Sequence, residues 1–227
     1  SYVNLSKYAE TTDIENVYKI TLTVEPPTIK PAPILVTLVL DHSGSMSPTY
    51  YPWVADGAQK ALDVLQATGR EDIWVNIVSY SQPGAYNIDG AAQSLSTEWT
   101  GSGWGGSNQA FQPLMVSGAQ NSILTGAIGY FRSNFTTRPS GQSGGTWIGA
   151  GEKQAYDDLM AVKSQITAGN LDPTVRDYDG YVNYVMVLTD GQDNSGSFVP
   201  DTQTWALALK APQTQKIVTT AATSGSV

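Results

Sequence analysis

A continuous apolar run from Ile34 to Leu40, ending in Asp-His-Ser-Gly-Ser-Met at residues 41–46, constrains this chain more than any other feature. The run is rich in β-branched residues and preceded by Pro31 and Pro33, so it reads as a strand covered on both faces, the kind found in parallel sheets. The hexapeptide is then a loop at the strand's carboxyl end, the edge where ligands bind in open α/β sheets. It offers Asp41, Ser43 and Ser45 at alternate positions, with Gly44 between the serines. Hard oxygen donors of this kind suit Mg²⁺, Mn²⁺ or Ca²⁺ rather than zinc or copper. Taken alone, the same residues also fit an ordinary turn in which Asp41 caps the next helix.

Two further segments bear on that choice. Residues 144–149, Gly-Gly-Thr-Trp-Ile-Gly, and residues 185–191, Val-Met-Val-Leu-Thr-Asp-Gly, each place another oxygen donor after a plausible sheet element. The series Asp41, Ser43, Ser45, Thr146, Asp190 resembles the von Willebrand factor A domain and its metal-ion-dependent adhesion site, whose motif is Asp-x-Ser-x-Ser, a distal Thr and a distal Asp. The resemblance implies that Ser43, Ser45 and Thr146 touch a divalent cation directly or nearly so, while Asp41 and Asp190 hold it mainly through water. Mg²⁺ is the ion it favours, with Mn²⁺ or Ca²⁺ as alternatives. It also implies that His42, at a variable position of the motif, is a packing or surface residue and not a ligand. Asp193 reads either as an acceptor reaching the site through water or as a solvated loop acid.

The fold expected is α/β: a Rossmann-like, open, mostly parallel sheet flanked by helices, with an extra N-terminal β-strand and inserted loops or arms. A chain of 227 residues with 41% hydrophobic content can bury a sizeable core. Residues 1–30 form a segment of their own, with a half-exposed alternating strand at Val17–Val24. That segment, Asn4 to Val24, resembles the entry strand that precedes the A domain in Gram-positive pilus tip adhesins; read from the residues alone, it is an edge strand lengthening the sheet. By the resemblance, residues 31–227 are expected to make the A domain, cut or differently used at its C-terminus, with insertions near 84–110, 132–145 and 166–180 that are rich in glycine and polar residues.

Within the second segment, Val54, Ala58, Ala61, Leu62 and Leu65 recur at helical spacing and Gly69 ends the helix. Strands are expected at 34–40, 73–80, 181–188 and 216–221. A helix capped at Asn121 is expected to turn Ile123, Ala127, Ile128 and Phe131 inward, and another from Gly149 to Met160 to turn Ala155 and Leu159 inward and Glu152 outward. Asp201 would cap a helix running to Lys210. Trp99 and Trp104 read either as a binding platform or as rings folded back on the domain. A domain of the resembled family would continue with a further helix, strand and terminal helix beyond the last strand, so the segment is expected to be cut or differently used at its end.

Bulk properties narrow the function. A net charge of −8 repels nucleic acid, and no apolar stretch has the length of a membrane span. Cysteine is absent, which removes disulfides and thiolate chemistry. Ser1 is not a natural start, so targeting segments are read as removed. The Gly-Gln-Ser-Gly-Gly string at 141–145 lacks the preceding strand and the following His of a nucleophile elbow, and no P-loop is present. The expectation is a non-enzymatic, metal-dependent adhesive module on a bacterial surface or pilus tip, binding a host matrix or cell-surface protein through an acidic side chain. A structural role binding sister or backbone subunits of the same organelle is the alternative, and a metal-dependent hydrolase a distant third. Lys7 and Lys19 are candidates for amide cross-links to neighbouring domains, with no such bond expected inside these residues.

Overall fold

The computed structural model describes residues 4–11, 18–25, 33–82, 92–98, 109–133, 144–167, 181–191, 193–194, 202–210 and 217–223. The chain divides into two units, Ser1–Pro31 and Ala32–Val227. In the first, β1 (Asn4–Thr11) pairs antiparallel with β2 (Tyr18–Glu25) in register from Asn4↔Glu25 to Thr11↔Tyr18. The single entry strand expected from the sequence is therefore a hairpin. Its two strands form a separate sheet and do not lengthen the main one. Lys7 and Lys19 are both exposed, and Lys19 pairs with Glu10 at 3.5 Å.

The second unit is built on β3 (Ile34–Asp41), β4 (Ile73–Tyr80), β9 (Val182–Thr189) and β10 (Ile217–Thr223), which run parallel in the order β10-β9-β3-β4. Two short strands, β5 (Ala92–Ser94) and β6 (Gln112–Pro113), pair antiparallel with β4 at Val78–Tyr80 and at Trp74–Val75, so the sheet is mixed. A further small hairpin joins β7 (Met115–Val116) to β8 (Ala119–Gln120). Every residue of β4 is buried and all of β3 after Ile34, as the continuous apolar runs require of central strands. Side chains such as Leu38 and Ile77 contribute about 1.5–3 kcal/mol each by leaving water.

Helices cover both faces. α1 (Ser47–Ala67) and α3 (Ser122–Ser133) bury Tyr51, Ala55, Ala58, Leu62, Leu124, Ala127, Ile128 and Phe131 against Val36, Leu38, Leu40, Val75 and Ile77. α4 (Ile148–Thr167) and α5 (Thr202–Lys210) pack Ala155, Leu159, Val162 and Leu209 with Leu35, Val39, Val78, Val185 and Val187 on the other face. A four-residue helix α2 (Leu95–Glu98) follows β5. The glycine-rich 84–110 region therefore contains ordered elements at 92–98. Trp99 and Trp104, and the expected cap Asp201, lie outside the described residues.

Prolines and a glycine set the ends of α1, and two expectations about helix faces change. α1 begins at Ser47, directly after the loop, because Pro48 sits in the first turn where no N–H is needed, and Pro52 leaves only one internal bond unmade. Gly69 ends it as expected, in the left-handed region at φ +68°, with its N–H on Gln66 O. In α3 the inward residue is Leu124 and Ile123 is half-buried: the Asn121 side chain accepts from Ile123 N–H at 2.9 Å and so fixes the rotation of the first turn. In α4 Glu152 is buried and not outward, because the first turns of this helix lie close on the sheet. No helix among the described residues is long and apolar enough to cross a membrane.

Candidate metal-binding site

β3 and β9 are direct neighbours in parallel register, Leu40 opposite Leu188, so the loops that follow them emerge side by side at the carboxyl edge. That register brings Asp41 and Asp190 together. After Asp41 the chain makes a short 3₁₀ turn, Gly44–Met46, that leads into α1 and stacks the two serine hydroxyls, Oγ to Oγ at 3.0 Å. Ser45 Oγ donates to Asp190 Oδ1 at 3.1 Å. Thr146 arrives from a third loop, two residues before α4. An ideal Cβ on Gly191 would lie 3.7 Å from both Ser45 Oγ and Thr146 Oγ1, so those hydroxyls face one small space that a glycine leaves open. All five residues singled out from the sequence are thus gathered at one end of the sheet.

Asp41 is fully buried and held at both carboxylate oxygens: Ser43 N–H donates to Oδ1 at 2.7 Å and Thr189 Oγ1 donates to Oδ2 at 2.6 Å. Thr189 in turn accepts from Gly191 N–H at 3.2 Å. Burial pushes the Asp41 carboxyl above its ordinary range, the bonds from Ser43 and Thr189 pull it back, and the charge of Asp190 raises it again. Neither Asp41 nor Asp190 forms an ion pair among the described residues. Two carboxylates without a counter-charge among the described residues and three neutral hydroxyls are oxygen donors of the type that hard cations take. No group of three or more His, Cys, Asp or Glu converges among the described residues, so the softer zinc-type set is absent from them.

The loops are tied to one another through the backbone. Gly44 N–H donates to Gly144 O at 2.5 Å, Gln82 N–H to Gly145 O at 2.6 Å, and Asn194 N–H to Thr146 O at 2.8 Å. Three consecutive carbonyls are therefore taken by three different loops. Trp147, buried beside Ala150 and Ala92, anchors the same segment from below. His42 points away from the donors: its Nδ1 lies 3.1 Å from Ser79 Oγ, and its ring packs on Tyr51 and Phe131 at centroid distances of 4.9 and 5.4 Å. It is a packing residue, as its position in the motif implied. Asp193 is half-buried.

No family model matches the sequence, and no curated protein matches it. Solved structures do. The pilus adhesin SpaC from Lactobacillus rhamnosus GG is 21% identical over 84% of this chain and 19% of its own, with a TM-score of 0.46. Proximal thread matrix protein 1 from the mussel byssus is 16% identical over 84% of this chain and 35% of its own, with a TM-score of 0.44. The PilB minor pilin from Streptococcus sanguinis is 14% identical over 83% of this chain and 46% of its own, also with a TM-score of 0.44. The chain spans 19% of SpaC and under half of the other two.

Proposed function

We propose that Asp41, Ser43, Ser45, Thr146 and Asp190 hold a divalent cation, and that the domain uses this site to bind a partner protein through one of the partner's Asp or Glu side chains. The observation that carries the reading is the convergence of three loops on one edge, with two hydroxyls 3.0 Å apart. The two hydroxyls share a hydrogen bond, and together with Thr146 they offer neutral hard-oxygen donors of the kind that Mg²⁺, Mn²⁺ or Ca²⁺ takes. A bound ion supplies a hard positive centre on an otherwise acidic protein. The protein's own part is to keep that centre short of negative charge: the hydroxyls of Ser43, Ser45 and Thr146 are neutral, and Asp41 is turned toward Ser43 N–H and Thr189. An external carboxylate then has a charge to neutralise.

On this reading the chain belongs to a surface-exposed bacterial adhesive structure such as a pilus, and its partner is a host matrix or cell-surface protein. Sister subunits of the same structure are the alternative partner. Adhesion of the wild type and of Thr146→Ala to immobilised collagen, fibronectin, epithelial cells and sister subunits, each with EDTA and with Mg²⁺ restored, tests it. Binding should disappear with EDTA, return with Mg²⁺ in the wild type alone, and identify the partner class by the surface on which it returns. Binding that survives EDTA and Thr146→Ala unchanged would remove the metal site from the mechanism.

A further inference from the structure

Asn194 lies four residues beyond Asp190 and belongs to no motif read from the sequence. Its side chain is exposed, yet Oδ1 accepts from Thr146 N–H at 2.8 Å while its own N–H donates to Thr146 O at 2.8 Å. One residue therefore grips both backbone groups of Thr146, in the way two residues of neighbouring strands grip each other. The Cβ that glycine lacks at position 145 would lie 3.1 Å from the same Oδ1 and 2.9 Å from Gln82 Cβ, so the segment just before Thr146 is seated tightly between Asn194 and Gln82.

The arrangement closes a ring. The first loop reaches the 190–194 loop through Ser45 Oγ and Asp190 at 3.1 Å, the 190–194 loop reaches the third through Asn194, and the third returns to the first through Gly144 O and Gly44 N–H at 2.5 Å. Asn194 follows Asp190 by four residues in the chain, so Thr146 and Asp190 are tied to the same short segment. We infer that Asn194 is a positioning residue of the metal site, which sets where the Thr146 hydroxyl stands relative to Ser45 and Asp190 without touching the ion. The inference rests on the metal-site reading above. Groups that orient a ligand from behind it are worth roughly ten- to a hundred-fold in metal affinity; an exposed amide that shares its task with two other ties stands at the lower end.

Mn²⁺ titrated calorimetrically into wild type, Asn194→Ala, Asn194→Asp and Thr146→Ala provides the test, together with hydrogen exchange of the Thr146 amide in the ion-free proteins. Asn194→Ala removes the acceptor but keeps the backbone bond. It should bind Mn²⁺ about ten-fold more weakly, expose the Thr146 amide to faster exchange, and lower the ion-free melting temperature by no more than about 4 °C. Asn194→Asp keeps an acceptor oxygen in the same place, and should hold both the protection and the affinity. Wild-type affinity in Asn194→Ala, or equal loss of amide protection in the two Asn194 variants, would overturn the inference alone. A wild type that takes up no Mn²⁺ would overturn the metal-site reading and this inference with it.

Discussion

Replacing Asp158 by asparagine should stabilise the domain at neutral pH, by an amount that depends on pH in a defined way. Asp158 lies on α4 and faces β4, where Asn76 Nδ2 donates to its Oδ2 at 2.7 Å and Gln154 Nε2 to its Oδ1 at 2.9 Å. Burial raises its carboxyl from 3.8 to about 6; the bonds from Asn76 and Gln154 oppose that rise and the charge of Asp157 adds to it. The folded protein therefore keeps the Asp158 proton to a higher pH than the unfolded chain does, and its stability falls as pH rises from about 4 to about 6. A shift of about two units corresponds to about 3 kcal/mol once both states are ionised. Asparagine carries no charge at any pH, keeps an oxygen for Asn76, and can be met by the Gln154 amide after that amide turns over. At pH 7 Asp158→Asn should exceed the wild type by up to about 3 kcal/mol, or about 6–12 °C in melting temperature for a chain of this size. Near pH 4 the gap should close. Thermal unfolding of both proteins at half-unit steps from pH 4 to 7.5 measures it. A gap that stays constant with pH, or a wild type more stable than the variant at pH 7, would refute the reasoning.

Two other outcomes are expected. Gly191→Val places methyl groups in the space faced by Ser45 Oγ and Thr146 Oγ1, so thermal stabilisation by Mg²⁺ should vanish while the ion-free melting temperature moves by only a few degrees; an undiminished Mg²⁺ shift in a fluorimetric melt would count against the placement of the ion. The intact mass should equal the sequence mass, because Lys7 and Lys19 are exposed on the hairpin and Lys19 is met by Glu10; a deficit of about 17 Da, one ammonia, would reveal an internal amide bond.

The elements that sequence reading recovered are those in which burial itself writes the pattern. β3 and β4 are covered on both faces, and their apolar runs leave no other assignment. The pairing of β3 with β9 has no signal of its own in the sequence, and it carries Asp190 to Asp41. Thr146 was legible only through resemblance, since nothing in the local composition of 144–149 distinguishes a donor from a turn hydroxyl. Thr189 and Asn194 escaped for a related reason. A threonine at the end of a strand and an asparagine in a loop are ordinary by propensity, and their bonds to Asp41 and Thr146 depend on loop conformations that have no period. A hydroxyl directly before Asp190 was the one available signal for Thr189. The misplacement of Ile123 and Glu152 has another origin: helical periodicity leaves the phase open by a residue, and the Asn121 cap and the closeness of α4 to the sheet decide it.

That closeness can be followed one step further. At Gly151 the backbone of α4 lies so near the sheet that a Cβ would fall 2.6 Å from Val39 Cγ1 and 2.8 Å from Tyr80 Cδ1. Thr146 stands two residues before this helix, so a displacement of the first turns of α4 at Gly151 would be passed to the threonine. Oxygen distances of about 2.1 Å for Mg²⁺ and about 2.4 Å for Ca²⁺ differ by less than the width of one methyl group. A single methyl at Gly151, deep in the interior and bearing no donor atom, would overpack this contact and cost about 1–3 kcal/mol; on the metal-site reading proposed above, relief by a shift of α4 would carry Thr146 with it, and the ratio of Mg²⁺ to Ca²⁺ affinity in Gly151→Ala is where that shift would be read.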